Sequence, residues 1–312
     1  MSLILIALIN ASIFSIGGIG QDMSVFRTPF LDVFRSARIE FTLKPEFNIL
    51  NKGSDFRSKF STNPFNLNLA VPVTKGFVFG LGNRERFSQS FDVYFDRDAL
   101  EMHVEGEGGI EEIYVNLNNN FGIGEIAFRG SYLFGNATEI WNYYIGDYYN
   151  VDTFLYKYWG KIFCGGIRLK FVSVSYEFLG DIEWEKQNSD TTIDLPSRLS
   201  VGLHPEIFGG KVDFLFEHAF WPGDNEDYIS PTRFKVSFIK KRFAVGYRYN
   251  PWYLKDVNEH GLDFSLNIPI QRLGLITLNL GCSLRNKESL REINVSPEIK
   301  LTIHEIFARR RQ

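Results

Sequence analysis

Hydrophobic residues recur at every second position through most of this chain. From Val172 to Trp184 the even positions read Val172, Val174, Tyr176, Phe178, Gly180, Ile182 and Trp184, while the odd positions read Ser173, Ser175, Glu177, Leu179, Asp181 and Glu183. Successive side chains of a strand point to opposite faces, so this run predicts a long strand with apolar surroundings on one side and water or polar partners on the other. The same period marks Ile39 to Ile49, Phe65 to Val73, Phe77 to Leu81, Phe91 to Phe95, Leu100 to Val104, Ile113 to Leu117 and Gly124 to Phe134. It returns at Leu199 to Leu203, Val212 to Phe216, Phe234 to Phe238, Phe243 to Tyr249, Leu262 to Ile268, Ile276 to Leu284 and Ile299 to Ile303. Pro45 interrupts the first of these and predicts an edge, a bulge or two short pieces. Thr74-Lys75-Gly76, Phe208-Gly209-Gly210 and Lys240-Lys241-Arg242 supply turn chemistry between strands, whereas Gln21 to Ser36 has no clear period.

Strands of soluble sheets usually run about 5 to 6 residues, but several here reach the ~9 to 11 needed to cross a bilayer at a tilt. Aromatic residues gather where strands end, at Trp184, at Phe220-Trp221 and at Tyr247, Tyr249, Trp252 and Tyr253, as interfacial girdles require. The pattern therefore predicts an all-β, antiparallel transmembrane β-barrel. Even strand numbers are the rule in single-chain bacterial barrels, which sets the expectation at about 12 to 14.

Composition agrees with this. Of 312 residues 44% are hydrophobic and 16% aromatic, with 30 Phe and 14 Tyr, and the net charge of -3 gives no electrostatic case for nucleic acid. The one basic run, Arg309-Arg310-Arg311, reads as a solvated end. Residues 1–20 hold an apolar run from Leu3 to Ile9, resumed at Ile13, and small residues at Gly18-Ile19-Gly20. They read as a secretory signal peptide that lacks a leading Lys or Arg, with 21–312 as a single barrel domain. Cys164 and Cys282 lie in apolar strand contexts and fit two buried thiols, with a disulfide left open.

Three stretches resemble the FadL-type outer-membrane transport proteins. They are Val71-Pro72-Val73-Thr74-Lys75-Gly76-Phe77 with the Gly-rich strand after it, Leu195-Pro196-Ser197-Arg198-Leu199 with the strand carrying Asp213 and Glu217, and a C-terminal strand with Phe307 near its end. The resemblance implies a divergent, short member of a family that takes up fatty acids and other hydrophobic compounds. The family's N-terminal hatch is not visible, Asn63-Pro64-Phe65 being at best a remnant. The implied function is binding or passive transport of hydrophobic small molecules across the outer membrane. A non-transporting scaffold or secretion-associated barrel is the alternative. Expected partners are outer-membrane lipid, a hydrophobic cargo, and the insertion machinery through the C-terminal strand.

Candidate chemistry is sparse. The histidines His103, His204, His218, His260 and His304 are isolated in sequence, with no nucleophile motif, zinc spacing or phosphate loop beside them, so neither an enzyme nor a cofactor is expected. A rim enzyme would need His and carboxylate groups to converge at one mouth. The stretch from Trp141 to Trp159, with Trp141, Tyr143, Tyr144, Tyr148, Tyr149, Tyr156 and Tyr158, reads either as a ligand-binding loop or as an extracellular loop folded over the mouth. Gly223-Asp224-Asn225-Glu226-Asp227 reads as an acidic turn rather than a calcium loop. Glu105 to Glu112 with its glycines reads as a flexible hairpin connection. Strand parity predicts Glu177, Asp181, Glu183, Asp213 and Glu217 as lumen-lining.

Overall fold

In the computed structural model the described residues are 4–7, 21–31, 37–52, 55–62, 66–97, 100–180, 182–186, 189–193, 195–221, 229–270, 274–287 and 290–304. Most of the expected signal peptide, Asn63-Pro64-Phe65, Asp181, the acidic turn Gly223–Asp227, Phe307 and the terminal arginines lie outside them.

The wall is a closed antiparallel barrel of 14 strands. β1 comprises Arg38–Leu43 and Pro45–Lys52, β2 Asp55–Thr62 and Asn66–Thr74, and β3 Phe77–Ser88 and Phe91–Arg97. Then come β4 Leu100–Asn120, β5 Gly124–Ile145 and β6 Tyr148–Leu169. β7 is Val172–Leu179 with Ile182–Lys186, and β8 is Ser189–Ile193 with Ser197–Leu203. β9 Gly210–Phe220, β10 Thr232–Lys240, β11 Phe243–Pro251, β12 Asn258–Ile270, β13 Gly274–Lys287 and β14 Leu290–His304 complete it. β14 pairs with β1, Ile303 opposite Ile39 and Ile293 opposite Ile49, which closes the sheet and leaves no edge there. Pro45 divides β1 into two pieces, as expected.

Outward-facing positions form an apolar belt around the whole wall. Phe128 and Phe163 are 60% exposed, and Val115, Ile167, Val174, Phe216, Phe264, Leu280 and Ile299 continue the belt. No soluble sheet leaves such a continuous apolar surface to water, whereas lipid is its natural solvent. Short connections at 75–76, 121–123, 170–171 and 241–242 lie at the end of the barrel that carries Arg38 and His304. In bacterial barrels that end faces the periplasm. At the other end β4, β5 and β6 run 21, 22 and 22 residues, far beyond the belt, while β10 and β11 have only 9.

Two expectations fail here. Trp141 to Trp159 is not a loop but the paired upper half of the β5–β6 hairpin, in unbroken register from Ile145 opposite Tyr148 down to Gly124 opposite Leu169. Glu105 to Glu112 is likewise the interior of β4 and not a hairpin connection. Gly108, at φ +100, comes so close to the backbone of β5 that a Cβ would lie 2.1 Å from the Asn136 carbonyl oxygen. Glycine is there to permit that approach, not to loosen the chain.

Pairing between β2 and β3 stops at Asn68 opposite Gly82. A bulge between Glu85 and Phe87 turns β3 away, and its free edge takes Gln21–Asp22 opposite Ser88 and Phe87, then Ile4–Ala7 opposite 93–96. Among the described residues the wall is thus unzipped between β2 and β3 above Asn68 and Gly82.

Candidate functional site

The lumen is divided into a charged lower part and an apolar upper part. In the lower part oppositely charged side chains sit directly across from each other on neighbouring strands. Arg84 Nε donates to Glu112 Oε2 at 2.7 Å, Arg233 Nη1 to Glu217 Oε1 at 2.8 Å, and Arg285 to Glu259 at 2.8 Å and Glu292 at 3.2 Å. Arg86 bonds Glu177 with both terminal nitrogens, and Arg198 stands opposite Glu177 in register. All of these groups are buried. A buried charge is tolerated only when paired and hydrogen-bonded, which the cross-strand register provides.

Residues 21–31 run through this charged region as a plug. Asp22 accepts from Arg198 at 2.7 Å and lies 3.4 Å from Arg233, Ser24 Oγ accepts from Arg198 at 2.8 Å, and the Phe26 amide donates to Glu217 at 3.0 Å. Further along, Asn116 Nδ2 donates to the Pro29 carbonyl at 2.6 Å and Arg129 to that of Thr28. Phe30 lies under the Arg168 guanidinium, 5.1 Å from its carbon to the ring centroid. Leu31 packs on Ala70 and Val78, over Gly80, where a Cβ would approach Leu31 Cδ1 to 2.7 Å. Burial opposes ionisation of Asp22, but Arg198, Arg233 and Arg86 outweigh it and hold the carboxyl well below the usual range. A polar cavity of about 390 Å³ remains between the plug and β10–β14, bordered by Arg27, Lys235, Arg248, Asn250, Asp263 and Glu298.

Above the ion pairs the lumen turns apolar. Phe87, Ile110, Leu133, Tyr158, Ile162, Leu179, Ile182, Leu195 and Tyr253 pack in one buried cluster, with Phe154, Trp221 and Leu254 at its margin. Leu133 stands directly opposite Glu112, so the change from charge to hydrocarbon takes place across a single strand pair. Tyr158 hydroxyl donates to Gln89 Oε1 at 3.0 Å and Tyr156 hydroxyl to Glu139 at 3.3 Å, while Trp221 and Tyr253 stack at 4.8 Å.

Solved structures with this architecture include the CymD monoaromatic hydrocarbon channel, at TM-score 0.59 and 10% identity over 95% of this chain and 97% of that one. The P. putida toluene transporter TodX matches at TM-score 0.56 and 9% identity over 88% of this chain and 91% of its own. The chain has the FadL-type fold. No protein-family model and no curated protein matches the sequence. The likeness expected from the loose motifs at Val71–Phe77 and Leu195–Leu199 thus holds for the fold. A lumen segment at the N-terminal side of the FadL-type wall, which the sequence did not reveal, is present as residues 21–31.

The site residues named from sequence separate into three groups. Glu177 and Glu217 are in the lumen and bonded to Arg86 and Arg233; Asp213 is at its mouth on the side of the short turns. Glu183 lies instead on the outer face, bonded to Trp159 Nε1, because the parity of β7 flips after Gly180 and sends Ile182 inward. Of the aromatic set, Tyr156 and Tyr158 point into the apolar cluster, whereas Tyr144, Tyr148 and Tyr149 are exposed at the hairpin tip, with Tyr144 and Tyr149 stacked at 4.9 Å. Trp141 and Tyr143 lie between, their rings 6.2 Å apart.

Two histidines meet a carboxylate, His103 Nε2 at 3.1 Å from Glu105 Oε1 on the same strand and His204 beside Asp213. His204 Nδ1 is 2.8 Å from Asp213 Oδ1 and its Nε2 is 2.9 Å from Ser173 Oγ. Ser173 is only 3% exposed, so this chain of hydrogen bonds ties β7, the 204–209 turn and β9 together rather than presenting a nucleophile. Cys164 and Cys282 are both free thiols.

Proposed function

We propose that the protein is an outer-membrane channel that admits a hydrophobic small molecule into the apolar upper lumen and releases it sideways through the unzipped β2–β3 seam. The observation that carries this reading is the position of the apolar cluster, directly above a lumen closed by the plug and its ion pairs. A hydrophobic solute gains by entering the cluster and loses by proceeding into the buried charges below, so the seam is its least costly exit. No energy source is implied, and transport is passive. The monoaromatic hydrocarbons named for CymD and TodX are the first cargo to try.

Uptake of labelled toluene into proteoliposomes tests this. Wild-type protein accelerates equilibration over protein-free vesicles, and Leu133→Lys, which places a charge in the cluster, removes the acceleration while keeping the heat-modified band of a folded barrel. Equal rates for the two proteins would refute the route. A second reading, a non-transporting scaffold, is favoured by the tight filling of the lumen. Wild-type vesicles no faster than empty ones would support it.

A further inference from the structure

The strongest unexplained surface feature is a groove on the outer face of β10–β13. The cross-strand register builds it from two rows, Phe238–Val245–Phe264–Leu280 and Lys240–Phe243–Leu266–Leu278, each residue standing opposite the next. Between them is an open space of about 460 Å³ whose lining is apolar apart from Lys240, Ser265 and Asn279. Lys240 follows Phe234, Val236 and Phe238 on the lipid parity, where a charge is tolerated only at an interface.

The groove ends in concentrated positive charge. Lys240, Lys241 and Arg242 are all exposed, and Lys241 at φ 54 makes the turn tight enough to bring the three together. Among the described residues none of the three forms an ion pair, and no carboxylate lines the groove. Lys211, opposite Ile239 on β9, adds a fourth cation nearby, though it is engaged with Asp213 at 2.9 Å. Three cations side by side in one tight turn, at the end of a membrane-facing groove without a carboxylate, point to an anionic partner from outside the chain.

We propose that this groove binds one anionic phospholipid of the periplasmic leaflet, an acyl chain lying between the two rows and the phosphate held by Lys240, Lys241 and Arg242. The proposal rests on the outer-membrane reading above, with the short turns in the periplasm. Long basic side chains at the membrane surface keep their stems in hydrocarbon and their heads among phosphates, which is the geometry Lys240 has. A second copy of the chain is the competing occupant, but two like-charged turns would then meet.

Native mass spectrometry of protein extracted in mild detergent, then delipidated and titrated with phosphatidylglycerol or phosphatidylcholine, tests this. One phosphatidylglycerol is expected to bind per chain in preference to phosphatidylcholine. The double variant Lys240→Glu/Lys241→Glu should weaken it roughly thirtyfold. Leu266→Trp, which fills the groove without touching the charges, should also abolish binding, and both variants should keep the heat-modified band. Equal lipid retention by wild type and variants means annular lipid only and overturns the proposal, as does a dimer lost on Leu266→Trp. Absence of the heat-modified band from wild-type protein would instead overturn the barrel reading, and the lipid site with it.

Discussion

Asp22 ties the plug to two arginines of the wall, and replacing it with Asn isolates that contact. The substitution keeps the shape of the side chain and removes the charge shared by Arg198 and Arg233. Arg233 retains Glu217 at 2.8 Å, so it stays paired. Arg198 is left with Glu177 at 3.8 Å and the Ser24 hydroxyl, a poor substitute for a 2.7 Å ion pair at a buried position. Breaking a buried pair typically costs about 3 to 5 kcal/mol, and the partial compensation places this case at the low end, ~3 kcal/mol. At ~1.4 kcal/mol per decade the ratio of released to docked plug rises roughly 150-fold. The assay is labelling of Val25→Cys by a water-soluble maleimide, in a background with Cys164→Ser and Cys282→Ser. If opening precedes labelling, the rate follows the open fraction. A rate within twofold of the same reporter carrying Asp22 would refute the view that this clamp holds the plug.

Acid gives a related test. Because the folded Asp22 carboxyl is held below its ordinary value of about 3.9, its stabilising contribution is complete above that value and is lost only as pH falls toward the depressed one; the maleimide rate divided by that of a free thiol at the same pH, which removes the fall in thiolate, is therefore expected to stay flat from neutral pH to about 4. A Cβ on Gly202 would lie 2.4 Å from Ser173 Oγ and 2.8 Å from His204 Nε2, so Gly202→Ala should destabilise the barrel by about 1 to 3 kcal/mol. Adding Ser173→Gly should restore part of that loss, read as the temperature at which the heat-modified band disappears. Tyr144→Ala and Tyr149→Ala at the exposed tip should change stability by less than about 0.5 kcal/mol and leave uptake unchanged. Tyr158→Ala in the apolar cluster should cost about 3 kcal/mol or more and alter uptake.

What the sequence displays follows the solvent on each side of the strand. Within the bilayer one face must be apolar and the other is free to be polar, so β7, β9, β12 and β13 stand out as alternation. Above the belt both faces of the β5–β6 hairpin meet water or protein, and the period fades although pairing continues to Ile145 and Tyr148. That is why Trp141–Trp159 reads as a loop and why Glu105–Glu112 reads as a connection. Glu183 is misplaced because a one-residue irregularity near Gly180 inverts every later position, and nothing in the local composition marks it. The ion pairs leave a faint trace: Glu177 and Arg198 are equidistant in sequence from the midpoint between their two strands, and so are Arg285 and Glu292. Opposite charges at mirror positions on the polar parity would have found them. The plug has no period at all, since it is recognised by side chains from several strands and lies in no ladder beyond Gln21–Asp22.

The unequal height of the wall decides what a visitor from outside meets first. About 10 residues of β5 and β6 suffice to cross the membrane, so roughly 12 more carry the hairpin some 30 Å clear of it after allowing for tilt. The turn at Gly146–Asp147, with Gly146 at φ 59, therefore stands as a mast beside a low gunwale formed by β9 to β11. Antibodies and phages would find the mast before the mouth. An affinity tag spliced in at that turn would report on the living cell surface without disturbing the seam or the charged bilge beneath it.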